Sequence, residues 1–547
     1  MKSKRLTLSV LFVVAAVANA LACTNLIVGK NASADGSTIV SYSADSYGLF
    51  GELYHYPAGM HKKGTLIDIH EWDTGKYLGQ IEQARQTYNV IGNMNEFQLT
   101  IGETTFGGRP ELVDTTGIID YGSLIYLGLQ RSRTAREAIK VMTELVQEYG
   151  YYSGGESFTI ADPNEIWIME MIGKGPGVRG AVWVAVRVPD DCISAHANQS
   201  RIHQFNMNDK ENCMYSPDVI SFAREKGYFD GVNKDFSFAD AYAPLDFGAR
   251  RYCEARVWSY FNMFTDRGNE FLPYILGETD TPMPLFVKPN RKVSVQDVKN
   301  AMRDHYEGTP LDISKDFGAG PYHTPYRLSP LSFKVDDQEY FNERPISTQQ
   351  SGFVFVAQMR SELPDPIGGV LWFGTDDANM TVFTPVYCCT DKVPVCYTRV
   401  DGADYITFSW NSAFWIFNWV ANMVYPRYDL MMGDVRATQT ELETTFNEAQ
   451  EGVEAAAAKL LEKDPAKAKA FLTNYTNMTA QSTFDTWKRL GEFLVVKYND
   501  GVVKRMKNGQ FERNSIGQPA GVIRPGYPKE FLEEYVKQTG DRYKMPE

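Results

Sequence analysis

The chain is poor in side chains that hold metals and in charges that hold nucleic acid. Seven histidines and seven cysteines occur in 547 residues, with no two cysteines in a CxxC frame, so neither a metal nor another cofactor is expected. Acidic residues outnumber basic ones, 68 to 55, giving a formal charge of −13. The basic residues form no stripe, and nucleic acid is not an expected partner. Beyond residue 22 no apolar run is long enough to span a membrane. No internal repeat or low-complexity run occurs. What remains has the composition of a globular protein, 43% hydrophobic and 22% charged.

Residues 1–22 have the layout of a secretory leader. Lys2, Lys4 and Arg5 precede an apolar run over 6–17, and Ala20 and Ala22 fit the small-residue rule for cleavage. An exported product, periplasmic or secreted, is expected. Cleavage after Ala22 makes Cys23 the first residue, with a free α-amino group beside its own thiol. A model α-amine titrates near ~7.7–8.0 and a thiol near ~8.5, so a proton passes between them at little cost near neutral pH. One residue then supplies both nucleophile and base. Seven is an odd number in an oxidising compartment, and Cys23 is the natural one left over. Cys192 with Cys213, and Cys396 with Cys388 or Cys389, are pairings suggested by proximity alone; buried free thiols are the alternative.

Residues 24–30 and 37–41 read as a β-hairpin around turn residues 31–36. A hairpin returns the chain to its start, which can set Asp45 beside the amino end of Cys23; the alternative is an ordinary turn aspartate. Strands are expected at 88–91 and 98–101. Glu103, Thr104 and Thr105 end the second, where polar side chains line a site or cap a sheet. Thr134 to Glu137 is a capping box, opening an amphipathic helix that Gly150 stops. The glycine-rich 173–180 lies between strands and lacks the GK[ST] ending of a phosphate loop. His196 is a candidate imidazole base, though such a histidine is more often structural, and Asn198 is a candidate oxyanion donor. Residues 249–258 read helical, and their arginines either clamp a carboxylate or lie as surface charge. Residues 307–327 form a Gly/Pro-rich loop of a length that often covers a site. Helices are expected at 217–226, at 293–306, and over 434–497 with a break at Asp464-Pro465. Strands are expected at 351–359, 368–374 and 381–387; 501–547 is polar and poorly patterned.

Five stretches carry a resemblance: CTNLIVGKNASADGST from Cys23, SADS from Ser43, NMNEFQLTIGETT from Asn93, WVAVRVPDDCISAHANQ from Trp183 and ARVW from Ala255. In this order they resemble the PepD-like dipeptidases, a cysteine branch of the N-terminal nucleophile (Ntn) hydrolases. Secernins, bile salt hydrolases and penicillin V acylases are more distant relatives. The resemblance, over 23–387, implies an α+β fold: a four-layer αββα sandwich of two antiparallel sheets, with a hydrolase domain at 23–433 and a helical extension at 434–547. It implies that Cys23 is nucleophile and base, that Asp45 supports the amine, and that Asn198 faces the oxyanion. Arg256, or else Arg251, fills the family's arginine position. Glu103, Thr105 and Arg251 are the expected substrate-binding residues. Thr105 stands where acylase relatives use an asparagine. Bile salt hydrolases keep an arginine just before their first aspartate, where this chain has Tyr42-Ser43.

The implied activity is metal-independent hydrolysis of dipeptides or short peptides through an acyl-enzyme. One alternative on the same fold is an amidase for N-acyl amino acids or bile-type conjugates. Another, of a different class, is a lipid-anchored binding protein, because Leu21-Ala22-Cys23 is partly lipobox-like and lipidation blocks the amine.

Overall fold

The structure, a computed structural model, describes residues 23–547. The leader expected at 1–22 lies outside the described residues. The chain is α+β, built on two antiparallel sheets with helices packed against them. Asn25–Val28 and Thr38–Asp45 form the expected hairpin, with Ile27 opposite Val40 and every residue of both strands buried. They lie inside a six-stranded sheet ordered Ile193–His196, Asn25–Val28, Thr38–Asp45, Ser351–Met359, Val370–Thr375, Thr384–Tyr387. The second sheet has eight strands. Its centre is Ala181–Arg187, Ile166–Gly173, Gly155–Ala161 and Thr100–Gly107. The glycine-rich turn at 173–180 joins two of these strands, so no helix follows it to cradle a phosphate.

Alternation along Ile166–Gly173 shows how the second sheet is used. Ile166, Ile168 and Ile172 share a core with Leu26, Val28 and Ile39 of the first sheet. Trp167, Met169 and Met171 pack instead with Leu124, Ala138, Met142 and Val146, which belong to helices Tyr121–Arg131 and Ala135–Tyr149. Burial on both faces accounts for the nearly unbroken apolar run. The sheets come together closely beside Cys23. A Cβ at Gly102 would stand 2.5 Å from Asn25 Oδ1, and Asn25 Nδ2 donates across the gap to Glu103 O at 2.7 Å.

Thr134 accepts from Glu137 N at the start of Ala135–Tyr149, and Gly150 closes that helix at φ +79°. Two other expected helices are shorter than their sequence pattern, Val219–Glu225 and Val295–Ala301. The 249–258 stretch is π-helical over Ala249–Glu254 and continues as the α-helix Ala255–Phe264. Two long helices follow later, Tyr428–Leu461 and Pro465–Tyr498, with Asp464 capping the second. Position 434 falls inside the first, so the boundary expected there marks no break, and Met431, Val435, Leu472 and Leu494 join the core of the six-stranded sheet. Residues 501–547 carry short strands and the helix Lys529–Thr539, none of whose residues is buried. Among the described residues no helix is long and apolar enough to cross a membrane.

All seven cysteines are free thiols, which corrects the suggested pairings. Cys192 precedes a strand of the six-stranded sheet, whereas Cys213 begins the edge strand of the other. Cys388 Sγ lies 3.0 Å from Asp365 O, and Cys396 Sγ lies 4.0 Å from Ala480 O. Sequence proximity did not bring either pair together.

Candidate active site

Thr24 bridges to Ser43 across the first hairpin, so the end of Thr38–Asp45 runs alongside Cys23. Cys23 is buried, and Arg256 holds its backbone. Arg256 Nη1 donates to Cys23 O at 2.6 Å and Thr24 Oγ1 at 2.8 Å. Nη2 donates to Ala197 O at 3.0 Å and Asn198 Oδ1 at 2.9 Å. Nε donates to Tyr252 O, in the π-helical turn, at 2.7 Å. The planar fork of a guanidinium suits such a junction, which a lysine could not reproduce. Burial, and then the Arg344 charge, lower its pKa to about 10, still cationic at neutral pH. Arg251, the other candidate for this place, is ion-paired with Glu343.

Asn198 is left-handed at φ +63°, a conformation asparagine tolerates better than most residues. Its Nδ2 donates to Thr105 O at 2.8 Å. Thr105 therefore meets Asn198 through its carbonyl, while its hydroxyl donates to Glu156 Oε1 at 2.8 Å. Asp45 is buried and fully engaged. Oδ2 accepts from Arg344 Nη2 at 2.6 Å and Ser43 Oγ at 3.0 Å, and Oδ1 accepts from Ser351 Oγ at 2.6 Å. A bulge between Ser351 and Phe353 breaks the register opposite Asp45 and sets Ser351 beside it. The guanidinium beside this aspartate thus comes from a position 299 residues away.

Glu103, expected at the substrate, lies behind the nucleophile. Tyr42 OH stands 3.7 Å from Cys23 Sγ and donates to Glu103 Oε1 at 2.6 Å. Glu103 Oε2 and Glu156 Oε2 are buried with no other donor among the described residues. Burial raises both carboxyls, and the Glu103 charge drives Glu156 higher still. Burial also pushes the Cys23 thiol well above its usual range, with the Glu103 and Asp45 charges adding; the Asp45 backbone N–H and the Tyr42 hydroxyl oppose the shift. His196 is corrected as a candidate base. It is wedged between Thr104 Oγ1 at 2.7 Å and Thr159 Oγ1 at 2.6 Å, and burial, then Arg201, lower its pKa to about 3.

A cavity of about 920 Å³ opens beside these residues, walled in part by Asn198, Arg256, Arg344, and Ile313, Tyr326 and Arg327 of the 307–327 loop. Ser46, Leu49, Trp72 and Asp73 wall this cavity and also a recess of about 30 Å³ lined by Cys23, Tyr42 and Asp45. The larger space is of a size that takes a small ligand. Among the described residues no group of three His, Cys, Asp or Glu side chains is placed to hold a metal ion. Sequence reasoning passed over Tyr42, Glu156, Arg344 and Asp73. Glu156 left a trace, the one charged residue in the strand Gly155–Ala161, buried throughout; Arg344 left none.

The family model of Peptidase family C69 matches residues 22–55 and 50–441. A probable dipeptidase of Salmonella dublin is 31% identical over 389 residues, 67% of this chain and 81% of the relative. A probable dipeptidase of Latilactobacillus sakei is 26% identical over 474 residues, 83% and 90% of the two chains. Dipeptidase A of Lactobacillus helveticus is 25% identical over 416 residues, 72% and 80%. The chain belongs to Peptidase family C69 and is a peptidase.

Proposed function

We propose that the mature protein is an exported cysteine dipeptidase, periplasmic or secreted, that begins at Cys23 and cleaves dipeptides or short peptides through an acyl-enzyme. Its sheets and helices would then form the four-layer αββα sandwich of the Ntn hydrolases. The reading rests chiefly on the Arg256 guanidinium, which ties Cys23 O to Asn198 Oδ1 beside a cavity of about 920 Å³. The relatives named as dipeptidases support the substrate class.

In this mechanism the α-amine of Cys23 takes the thiol proton, and the ammonium offsets the negative field of Glu103 and Asp45. Sulfur attacks the peptide carbonyl. Asn198 and nearby backbone N–H groups hold the oxyanion. The ammonium returns its proton to the leaving amine, and water, deprotonated by the freed amine, then cleaves the thioester. Asp45, held by Arg344 and Ser351, orients the amine.

The test is a dipeptide panel, with acyl-glycines included, run on mature protein with EDTA or a thiol alkylator. Hydrolysis of dipeptides that resists EDTA and is abolished by alkylation is expected. Preference for acyl-glycines would favour an amidase instead. A diacylglycerol adduct on Cys23 in the intact mass would end the enzyme reading in favour of a lipid-anchored binding protein.

A further inference from the structure

Three carboxylates lie near the recess that holds Cys23, and two are already engaged. Asp45 faces Arg344. Glu103 accepts from Tyr42 and lies against Glu156. Asp73 is different. It walls both the recess with Cys23 and the large cavity. Tyr121 OH donates to its Oδ1 at 3.0 Å, and among the described residues no lysine, arginine or histidine lies close enough to pair with it. The carboxylate is open to solvent through the cavity, yet crowded enough on its other sides that burial raises it to about 7. Of the other acids that line the large cavity, Glu71 is turned back onto its own turn, accepting from Thr74 N at 2.9 Å, and Glu343 is ion-paired with Arg251.

The position of Asp73 is built, not incidental. Asp120 caps the helix Tyr121–Arg131 and accepts from Trp72 N at 3.0 Å. A Cβ at Gly122 would stand 2.5 Å from the Trp72 ring, so glycine is what lets that ring settle on the helix. The ring also packs on Tyr54 and Tyr126, with centroids 4.9 Å and 5.1 Å away. Backbone and ring are therefore pinned immediately before Asp73, and Tyr121 fixes its carboxylate.

In an unblocked peptide the α-nitrogen is one carbon removed from the first carbonyl, so when sulfur meets that carbonyl the ammonium lies against the same wall. We propose that Asp73 is the subsite for the substrate's α-ammonium, and that this contact makes a free amino terminus a condition of efficient cleavage. The proposal rests on the reading of Cys23 as the nucleophile of a peptidase. A carboxylate with no resident cation is suited to an arriving one, and the charge-assisted hydrogen bond so formed is stronger than a neutral one.

Two arms test it. In the first, the fastest dipeptide of the panel and its N-acetyl derivative are compared on parent and Asp73→Asn mature protein. The substitution should raise KM for the unblocked peptide by about 10- to 100-fold with kcat changed less. It should leave kcat/KM for the acetylated peptide nearly unmoved, and Tyr121→Phe should act in the same direction but more weakly. In the second, binding of the same two peptides, or of alanyl-alanine and its N-acetyl form if none is cleaved, is measured calorimetrically on Cys23→Ala and Cys23→Ala/Asp73→Asn proteins. Selective loss of affinity for the unblocked peptide is expected. Equal effects on both peptides, or none, overturn the subsite even if the enzyme is a dipeptidase. A parent that cleaves no peptide overturns the peptidase reading, and the binding arm still decides on Asp73.

Discussion

Buried glutamates in two regions of this molecule behave in opposite ways. Glu443, on the helix Tyr428–Leu461, accepts from Arg303, from Gln296 Nε2 at 3.0 Å and from Phe383 N at 3.0 Å. Burial alone would raise its carboxyl, but Arg303 and then Lys299 outweigh that and hold it at about 2. Glu103 and Glu156 are equally buried and have no ion-pair partner among the described residues, and their carboxyls rise. Residue type and burial are the same, so the difference lies in the partner. Where the fold needs a helix docked, it neutralises the acid. Beside Cys23 it gives the Glu103–Glu156 pair no such cation among the described residues, which suits the α-ammonium proposed to form there.

The comparison can be broken from either side. The largest effect is expected at the nucleophile. Cys23→Ala should lower dipeptide turnover by about 10⁴-fold or more, while chemical unfolding moves by only about 1 kcal/mol. At the docking pair the balance reverses. Arg303→Met strands a buried carboxylate and should cost about 3–5 kcal/mol in urea unfolding, with turnover per folded molecule unchanged. A large loss of turnover without loss of stability would mean that Arg303 serves the site.

pH sharpens the contrast. The folded pKa of Glu443 lies at about 2, below its ordinary 4.5, so its contribution is present above pH 4.5 and lost as pH falls toward 2. That contribution is roughly 3 kcal/mol. Glu443→Gln should therefore destabilise most near pH 7 and least near pH 2. Glu156 is raised, so the folded state keeps a proton that the unfolded chain gives up. Its contribution is present below its ordinary 4.5 and lost as pH rises toward the folded value. Relative to parent, Glu156→Gln should gain stability as pH rises above 4.5 in denaturation series. Parallel pH curves for the two variants would remove the distinction. The smallest effect is expected at Tyr42→Phe, which removes the hydroxyl between thiol and acid pair. A loss of about tenfold in kcat with KM unchanged corresponds to one hydrogen bond.

Much of the frame was legible locally. The hairpin of Asn25–Val28 and Thr38–Asp45, the capped helix Ala135–Tyr149 and the break before Pro465–Tyr498 each follow from turn residues, caps and periodicity within a short window. The hairpin also explains why Asp45 lies near Cys23. What escaped is long-range. Arg344 reaches Asp45 from 299 residues away, in a stretch with no pattern of its own. Glu156 meets Glu103 only because their strands are neighbours in the second sheet. Asp73 depends on a loop held by the next helix's cap. No local window contains both members of any of these pairs. The helix expected at 293–306 shows the converse: its apolar pattern continues past Ala301, where the regular helix stops.

The proposed catalysis turns on an unblocked amine at Cys23. The most direct test compares dipeptide hydrolysis by two mass-verified forms of the protein, one beginning at Cys23 and one retaining Ala22. Only the first should turn over, because an amide nitrogen cannot take the thiol proton. Equal rates from both forms would contradict the mechanism proposed here.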